Sequence, residues 1–352
     1  MQPIRIAQFG LGPIGIASLQ YLVTKPWANI VGGIDVDPMK QEQSLGRLTG
    51  LPQLEDVSVY ATFEDLCNVA KPDVVLHTAG SSVTASIAQI LPMVHAGAHV
   101  ASTCEPLLYP WLTAPQAADE LDAACKAAGV SVVGTGVNPG FVMDLLPVVL
   151  TGVSTRIDRI TGERVVDATT RRGPLQKKIG SGMDPQTFID LFKQRKAGHA
   201  GFCESAALLA HSMGWHIKPE DIVETLEPVI AAEAINTPHV TVQPGQTRGL
   251  HQIVSVMHKG IEVIHLDLTM ALCEPNPHDT VSIEGDPNLT LTFPAGVPGD
   301  KATVASLINV VPRLITSRPG MRLMTELASP IHDTVTILGG HRYVSPAKQP
   351  VA

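Results

Sequence analysis

Ile4-Arg5-Ile6-Ala7-Gln8-Phe9-Gly10-Leu11-Gly12-Pro13-Ile14-Gly15 sets a strand-like run directly against GxGxxG, which in turn opens a helical pattern over residues 13–24. That order gives the three glycines separate duties. Gly10 permits a tight turn, Gly12 lets the backbone approach a pyrophosphate, and Gly15 lets the helix pack closely on the strand. The helix N-terminus adds unpaired N–H groups and the positive end of its dipole, with Leu11, Pro13 and Ile14 completing the phosphate-facing turn. A second Val/Ile-rich run over 29–36 carries Asp35, 20 residues beyond Gly15, where a carboxylate accepts hydrogen bonds from ribose hydroxyls. An acid there repels a 2′-phosphate, so the expected cofactor is NAD, with NADP possible. Asp37 is the alternative acid, and no arginine follows at once. The competing reading is a glycine turn in a nucleotide-free α/β protein.

Outward from this stretch, short apolar runs at 73–78, 99–103 and 130–135 alternate with Ala-rich helical patterns at 82–96 and 114–128. Nearly unbroken apolar strands separated by helices indicate a parallel sheet covered on both faces. The expected fold is therefore α/β, with an N-terminal Rossmann dinucleotide-binding domain over 1–140. Beyond about residue 150 the pattern changes to longer alternating strands, at 252–257 and 261–270, joined by a turn at His258-Lys259-Gly260. Helical segments at 185–196 and 200–213 precede them. Residues 141–300 thus read as an α+β substrate and dimerisation domain on a largely antiparallel sheet. A late helix at 301–317, opened by Gly299-Asp300 and stopped by Pro319-Gly320, is expected to return to the first domain within 301–330. Residues 331–352 read as a C-terminal strand and a loosely ordered tail after Gly340.

Composition narrows the function classes. The 352 residues suit about two domains. The 44% of hydrophobic residues is enough for full-sized cores, and a disordered chain is excluded. A net charge of -8 without a basic stripe argues against a nucleic-acid partner. No apolar run reaches the ~18 residues of a membrane span, and the N-terminus enters a strand without a signal-peptide pattern. Five scattered cysteines without CxxC suggest neither disulfides nor a zinc ribbon. His95 and His99 are four apart, but the second falls at a strand start, so no metal is expected. These features point to a cytoplasmic location.

In an open parallel sheet, ligands bind outside the carboxyl ends of the strands. Three such ends carry chemistry here: Gly80-Ser81-Ser82, Cys104-Glu105-Pro106 and Gly136-Val137-Asn138-Pro139-Gly140. Gly80 and Ser81 are expected to line the cofactor. Glu105 is costly to bury unless paired or functional, and a capping or salt-bridged acid is its alternative reading. Cys104 has no visible activating neighbour and reads as a small buried residue. Asn138, Pro139 and Gly140 form a turn suited to the nicotinamide amide, or an ordinary turn. Glu105-Pro106 resembles the Glu-Lys-Pro motif of two-domain sugar oxidoreductases, but the lysine that moves a proton at an alcohol oxygen is absent. A lone carboxylate suits an amine, because it can deprotonate ammonium and its charge stabilises an iminium cation.

Several further segments carry a family resemblance: Ser102-Thr103-Cys104-Glu105 with Tyr109-Pro110-Trp111, residues 134–144 (GTGVNPGFVMD), 171–182 (RRGPLQKKIGSG), 198–205 (GHAGFCES), and Gly299-Asp300-Lys301-Ala302-Thr303 with Asn309. With Gly10 to Gly15 they make the chain resemble the 2,4-diaminopentanoate dehydrogenase family, whose relatives include the native amine dehydrogenases, on a fold like that of dihydrodipicolinate reductase. The His-His and Lys signature of that reductase is missing. The resemblance implies an NAD(P)-dependent amine dehydrogenase that interconverts an amine with a ketone or aldehyde and ammonia through an iminium. It makes Glu105 the catalytic residue and puts Phe141, Val142, Met143, His199 and Thr303 in the substrate pocket. Pro106 departs from the acid expected after the glutamate, which alters the local charge. Arg171, Arg172, Lys177 and Lys178 read either as a carboxylate-binding cluster or as a solvated loop or subunit contact.

Other functions stay open on the sequence: 2,4-diaminopentanoate dehydrogenase proper, a sugar or alcohol dehydrogenase, or a non-catalytic NAD-sensing protein. The long alternating strands suggest a homodimer through the second domain's sheet.

Overall fold

The structure, a computed structural model, describes residues 3–332, 335–338 and 341–344. The chain forms two compact units. One comprises the described parts of Met1–Gly136 and Gly299–Ala352, the other Val137–Pro298.

In the first unit β1 (Ile4–Phe9), β2 (Ala28–Ile34), β3 (Val59–Tyr60), β4 (Val74–His77), β5 (His99–Ser102) and β6 (Ser131–Gly134) join Gly320–Arg322 in one sheet. The order is Gly320–Arg322, β6, β5, β4, β1, β2, β3, and all pairs are parallel. The chain reverses direction across the sheet between β1 and β4, so the doubly wound plan has its crevice at the ends of these two strands. Val74, Val75, Leu76, Val100, Ala101, Val132 and Val133 are fully buried, as strands with helices on both faces require. Helices Val83–His95 and Pro115–Ala128 supply Ile87, Ile90, Met93, Leu121 and Cys125 to the core on one face. On the other, Leu19 of α1 (Pro13–Leu22) packs with Leu45, Leu54 and Val59.

α1 ends at Leu22, two residues before the sequence pattern suggests. Pro26 disfavours helical backbone at Lys25, and the Thr24 hydroxyl donates to the Tyr21 carbonyl, closing the last turn. The late helix spans Gly299–Asn309 and packs on α1. It does not run on to residue 317. Pro312 lacks an amide hydrogen and its ring excludes the carbonyl four residues back, so a separate short helix, Val311–Leu314, follows.

The second unit is built on a six-stranded sheet in the order Leu289–Pro294, His278–Asp286, Arg156–Asp167, Ile261–Ala271, Thr247–His258, Ile222–Ile230. Arg156–Asp167 and Ile261–Ala271 run parallel, and the other four pairings are antiparallel. The strand read as 252–257 is twice that length because Thr247–His258 pairs along both edges. Leu250, Gln252, Val254 and Val256 form its buried row, while His251, Ile253, Ser255 and Met257 are half-buried on the opposite face. Helix Phe202–Ser212 is buried along most of its length against three strands.

Past Gly340, His341–Val344 pairs antiparallel with Val335–Leu338 rather than starting a loose tail, and the expectation for the residues after Val344 lies outside the described residues. Among the described residues no helix is long and apolar enough to cross a membrane.

Candidate active site

The glycine turn is held by backbone geometry. Gly10 has φ +87°, donates its N–H to the Ile34 carbonyl at 2.8 Å, and would press a Cβ to 3.0 Å from the Thr78 carbonyl. A Cβ on Gly15 would come within 2.0 Å of the Gly10 oxygen. No side chain is tolerated at either place. Gly12 differs, since a Cβ there would meet nothing within 4 Å. Open space thus lies over the glycine that begins α1, and no side chain caps this end, so its first N–H groups face that space. Pro13 is exposed and Ile14 half-buried, while Leu11 is buried. Two residues not singled out in the sequence lock this turn from below. The Thr78 hydroxyl donates to the Gly10 carbonyl at 2.8 Å, and the buried Gln8 amide donates to Gly10 O at 3.2 Å and to Thr78 Oγ1 at 3.0 Å. With its carbonyl held inward, the turn keeps its amides outward.

Asp35 lies just beyond β2 and already has partners. Its Oδ2 accepts from the Leu11 N–H at 2.7 Å and from Lys40 Nζ at 3.0 Å, and its Oδ1 from the Asp37 N–H at 2.9 Å. Partial burial pushes its carboxyl up, but the Asp37 and Leu11 amides and Lys40 outweigh that and hold it below the ordinary value. Asp37, the alternative acid, caps the short helix Pro38–Gln41. Val36 and Met39 flank Asp35 and are among the exposed large apolar side chains, a surface fitted to a flat base. Gly80 and Ser81 are exposed at the end of β4, where a Cβ on Gly80 would meet open space.

Glu105 opens a 3-10 turn, Glu105–Leu108, beyond β5, and is half-buried. Cys104 before it is buried. The turn closes through the Leu107 N–H to the Cys104 carbonyl at 3.0 Å. It rests directly on Gly134, where a Cβ would lie 2.3 Å from the Leu107 carbonyl carbon. Glycine at the end of β6 is therefore what seats the Glu105 turn. Thr303 is half-buried, the fifth residue of the late helix. Gly10, Leu11, Gly12, Pro13, Ile14, Gly15, Asp35, Gly80, Ser81, Glu105 and Thr303 all belong to the first unit.

The remaining expected site residues belong to the second unit. Both polar atoms of the Asn138 side chain are buried without a hydrogen-bond partner. Such orphaned groups cost about 1–3 kcal/mol each unless a ligand satisfies them. Pro139 and Gly140 are buried, and the Gly140 N–H donates to Asp144 Oδ2 at 2.8 Å. Asp144 also accepts from the Leu145 N–H and the Ser205 hydroxyl, at 2.7 Å each. Burial pushes its carboxyl up against these donors. It fixes the Asn138 turn, a role the sequence did not announce because aspartate before a helix reads only as a cap. Val142 and Met143 are fully buried, with Met143 sulfur against Gly162, so in this unit Phe141 is the member of that trio that keeps exposed surface. His199 donates from Nδ1 to the Ala200 carbonyl at 3.1 Å, and its backbone N–H is held by Gln252 Oε1 at 2.8 Å. Lys177 and Lys178 end a short helix whose Gln176 amide ties the carbonyls of Ala168, Thr169 and Arg171. Among the described residues no group of three or more His, Cys, Asp or Glu side chains is placed to hold a metal ion.

The donor set fits a nicotinamide dinucleotide. Within the first unit there is open space and an uncapped helix end for the pyrophosphate, and a charged acid with apolar flanks for the adenosine.

Comparison with known proteins follows the same line. Residues 141–340 match the family model of the 2,4-diaminopentanoate dehydrogenase C-terminal domain. The 2,4-diaminopentanoate dehydrogenase of Acetoanaerobium sticklandii is 29% identical over 94% of this chain and 95% of its own. The solved amine dehydrogenase of Mycobacterium smegmatis superposes with a TM-score of 0.83 at 25% identity, covering 94% of this chain and 97% of that one. The dihydrodipicolinate reductase of Paenisporosarcina sp. TG-14, at 12% identity and a TM-score of 0.51 over 91% of this chain and 97% of that one, shares the fold alone.

Proposed function

The chain belongs to the 2,4-diaminopentanoate dehydrogenase family and is an oxidoreductase acting on amine groups, and we propose that it interconverts a primary amine with a ketone or aldehyde and ammonia, using NAD and admitting NADP. The observation that carries this reading is Glu105, a carboxylate on a seated turn at the carboxyl end of β5, followed by proline where an alcohol-oxidising site would need a lysine.

Gly10, Gly12 and Gly15 with the start of α1 would hold the pyrophosphate and Asp35 the ribose; Asn138, in the second unit, is proposed separately as a partner for a carboxamide. The cofactor, when bound, supplies the ability to accept or return a hydride. The chain's own residues handle the proton and the charge. In the direction of amination, Glu105 takes a proton from ammonium so that free ammonia can add to the carbonyl carbon. It returns a proton to the carbinolamine oxygen, which leaves as water. Its negative charge then stabilises the positive carbon–nitrogen double bond, which is reduced to the amine. In the reverse direction Glu105 removes a proton from the ammonium group of the substrate before oxidation. Phe141 and His199 of the second unit and, separately, Thr303 of the first remain proposed substrate-binding residues, whereas Val142 and Met143 are fully buried and drop out. The half-buried face of the second unit's sheet supports pairing of two copies.

The test is a panel of small ketones, aldehydes and amino-keto acids, each assayed with NADH and NADPH, with and without ammonium. The reading predicts turnover that requires ammonium. Equal turnover without it would favour an alcohol dehydrogenase, and binding without turnover a sensor. Strong preference for the amino-keto acids would identify a 2,4-diaminopentanoate dehydrogenase proper.

A further inference from the structure

We propose that His77 is a positioning residue for Glu105, acting through Ser102 and the backbone of Cys104; the inference rests on the reading of Glu105 given above. His77 is the last residue of β4 and is fully buried, its ring stacked on Phe9 with centroids 5.3 Å apart. Its Nδ1 lies 2.9 Å from Ser102 Oγ and its Nε2 2.9 Å from Gln89 Oε1. Ser102 Oγ also accepts the Cys104 N–H at 3.1 Å.

These contacts fix where every proton sits. The Gln89 carbonyl oxygen only accepts, so Nε2 carries the ring hydrogen. Burial lowers the basicity of the ring and keeps it neutral, against the opposing pull of Gln89. Nδ1 is then a bare acceptor and takes the Ser102 hydroxyl hydrogen, which leaves the serine oxygen to receive the Cys104 amide. The result is a one-directional chain: Cys104 N–H to Ser102 O–H to His77, and His77 Nε2–H to Gln89. The His77 carbonyl accepts the Thr103 N–H at 3.0 Å as well. Three consecutive residues, 102 to 104, are thus tied to His77 immediately before Glu105. A catalytic carboxylate must be held within a fraction of an ångström, and a displacement of about 1 Å costs on the order of a hundredfold in rate. A hydrogen-bond chain through the buried His77 and Ser102 side chains, ending at that backbone, provides such a hold.

The experiment uses the full chain with Ser102→Ala, Ser102→Thr and Glu105→Gln. Five quantities are measured: kcat and KM for ammonium-dependent amination, the NADH dissociation constant by fluorescence, thermal stability, and the ¹⁵N spectrum of the histidines in the resting protein. Ser102→Ala should lower kcat by ten- to a hundredfold, roughly the cost of misplacing a catalytic group, while KM and NADH affinity stay within about twofold. Ser102→Thr, which keeps the oxygen, should recover most of the rate. In the wild type the His77 resonances should show a protonated Nε2 and a hydrogen-bonded bare Nδ1. A protonated Nδ1 overturns the inference even if a variant fails to fold. So does an undiminished kcat in Ser102→Ala beside an inactive Glu105→Gln, or a loss that tracks lowered thermal stability and is not recovered by threonine. Undiminished turnover in Glu105→Gln instead overturns the reading of Glu105, and this inference with it.

Discussion

In the proposed cofactor site, Asp35 and Lys40 together would set the charge met by the adenosine end of a dinucleotide. The spacing from Gly15 singled out Asp35 as a candidate ribose acceptor. Lys40 was not, because it reaches Asp35 only through the turn that Asp37 caps. With the lysine ammonium 3.0 Å away, Asp35 repels a 2′-phosphate less than an isolated carboxylate would. Asp35→Ser should weaken NADH binding about tenfold, the scale of a lost hydrogen bond to a charged group, and shift preference toward NADPH. Lys40→Ala should weaken NADPH more than NADH. Fluorescence titration of both cofactors against each variant checks this. An unchanged ratio would mean that another group, Asp37 first, sets the preference. At this same scale Asn138 was read from its turn, yet nothing in the sequence could tell that both ends of its side chain would be buried without partners.

At the scale of elements, the alternation of apolar runs and helices made the parallel sheet readable, because strands covered on both faces have no polar row to obscure them. The second sheet was readable only in its most regular hairpin. Arg156–Asp167 carries Arg156, Asp158, Arg159 and Glu163, and that charge hides a strand whose inward row is Ile160, Gly162 and Arg164, the last buried against Asp279. What joins β4, β5 and β6 was also invisible, since the roles of Gly134 and His77 depend on strands brought together from distant parts of the chain. That junction has a consequence for stability. His77 is buried and His99 half-buried, and burial lowers the basicity of both; Asp73 partly opposes the shift at His99. His99 Nδ1 accepts the Ser131 N–H at 3.0 Å, so it too must stay unprotonated there. Each binds a proton more weakly folded than unfolded. As pH falls below the ordinary histidine value of 6.5, the unfolded chain gains protons that the folded chain refuses, and stability declines until the folded values are reached. The slope is at most about 1.4 kcal/mol per pH unit for each histidine. Urea midpoints between neutral pH and pH 5 should show this decline, and His99→Gln should flatten it. A stability that holds or rises over that range would contradict the assignment.

On the scale of the whole molecule, the fold class and the family were legible because the glycine turn and the segments at 134–144 and 171–182 keep their residues in fixed order. For pairing of two copies the sequence offered only an alternation. The sheet face bearing His251, Ile253, Ser255 and Met257 is half-buried, and pairing of two copies through it should give a solution mass near twice 37.3 kDa. Light scattering would report this, and Ile253→Lys should shift the protein to monomer. A wild-type monomer at assay concentration rejects the pairing. The account as a whole stands on a carboxylate that manages an amine's proton and charge. Its most direct test is NADH oxidation by a small carbonyl compound with and without ammonium, comparing wild type with Glu105→Gln. The predicted result is wild-type turnover that vanishes without ammonium, and a variant slowed by about a hundredfold or more that still binds NADH. A variant that aminates at the wild-type rate, or a wild type that reduces the carbonyl compound equally well without ammonium, would contradict it.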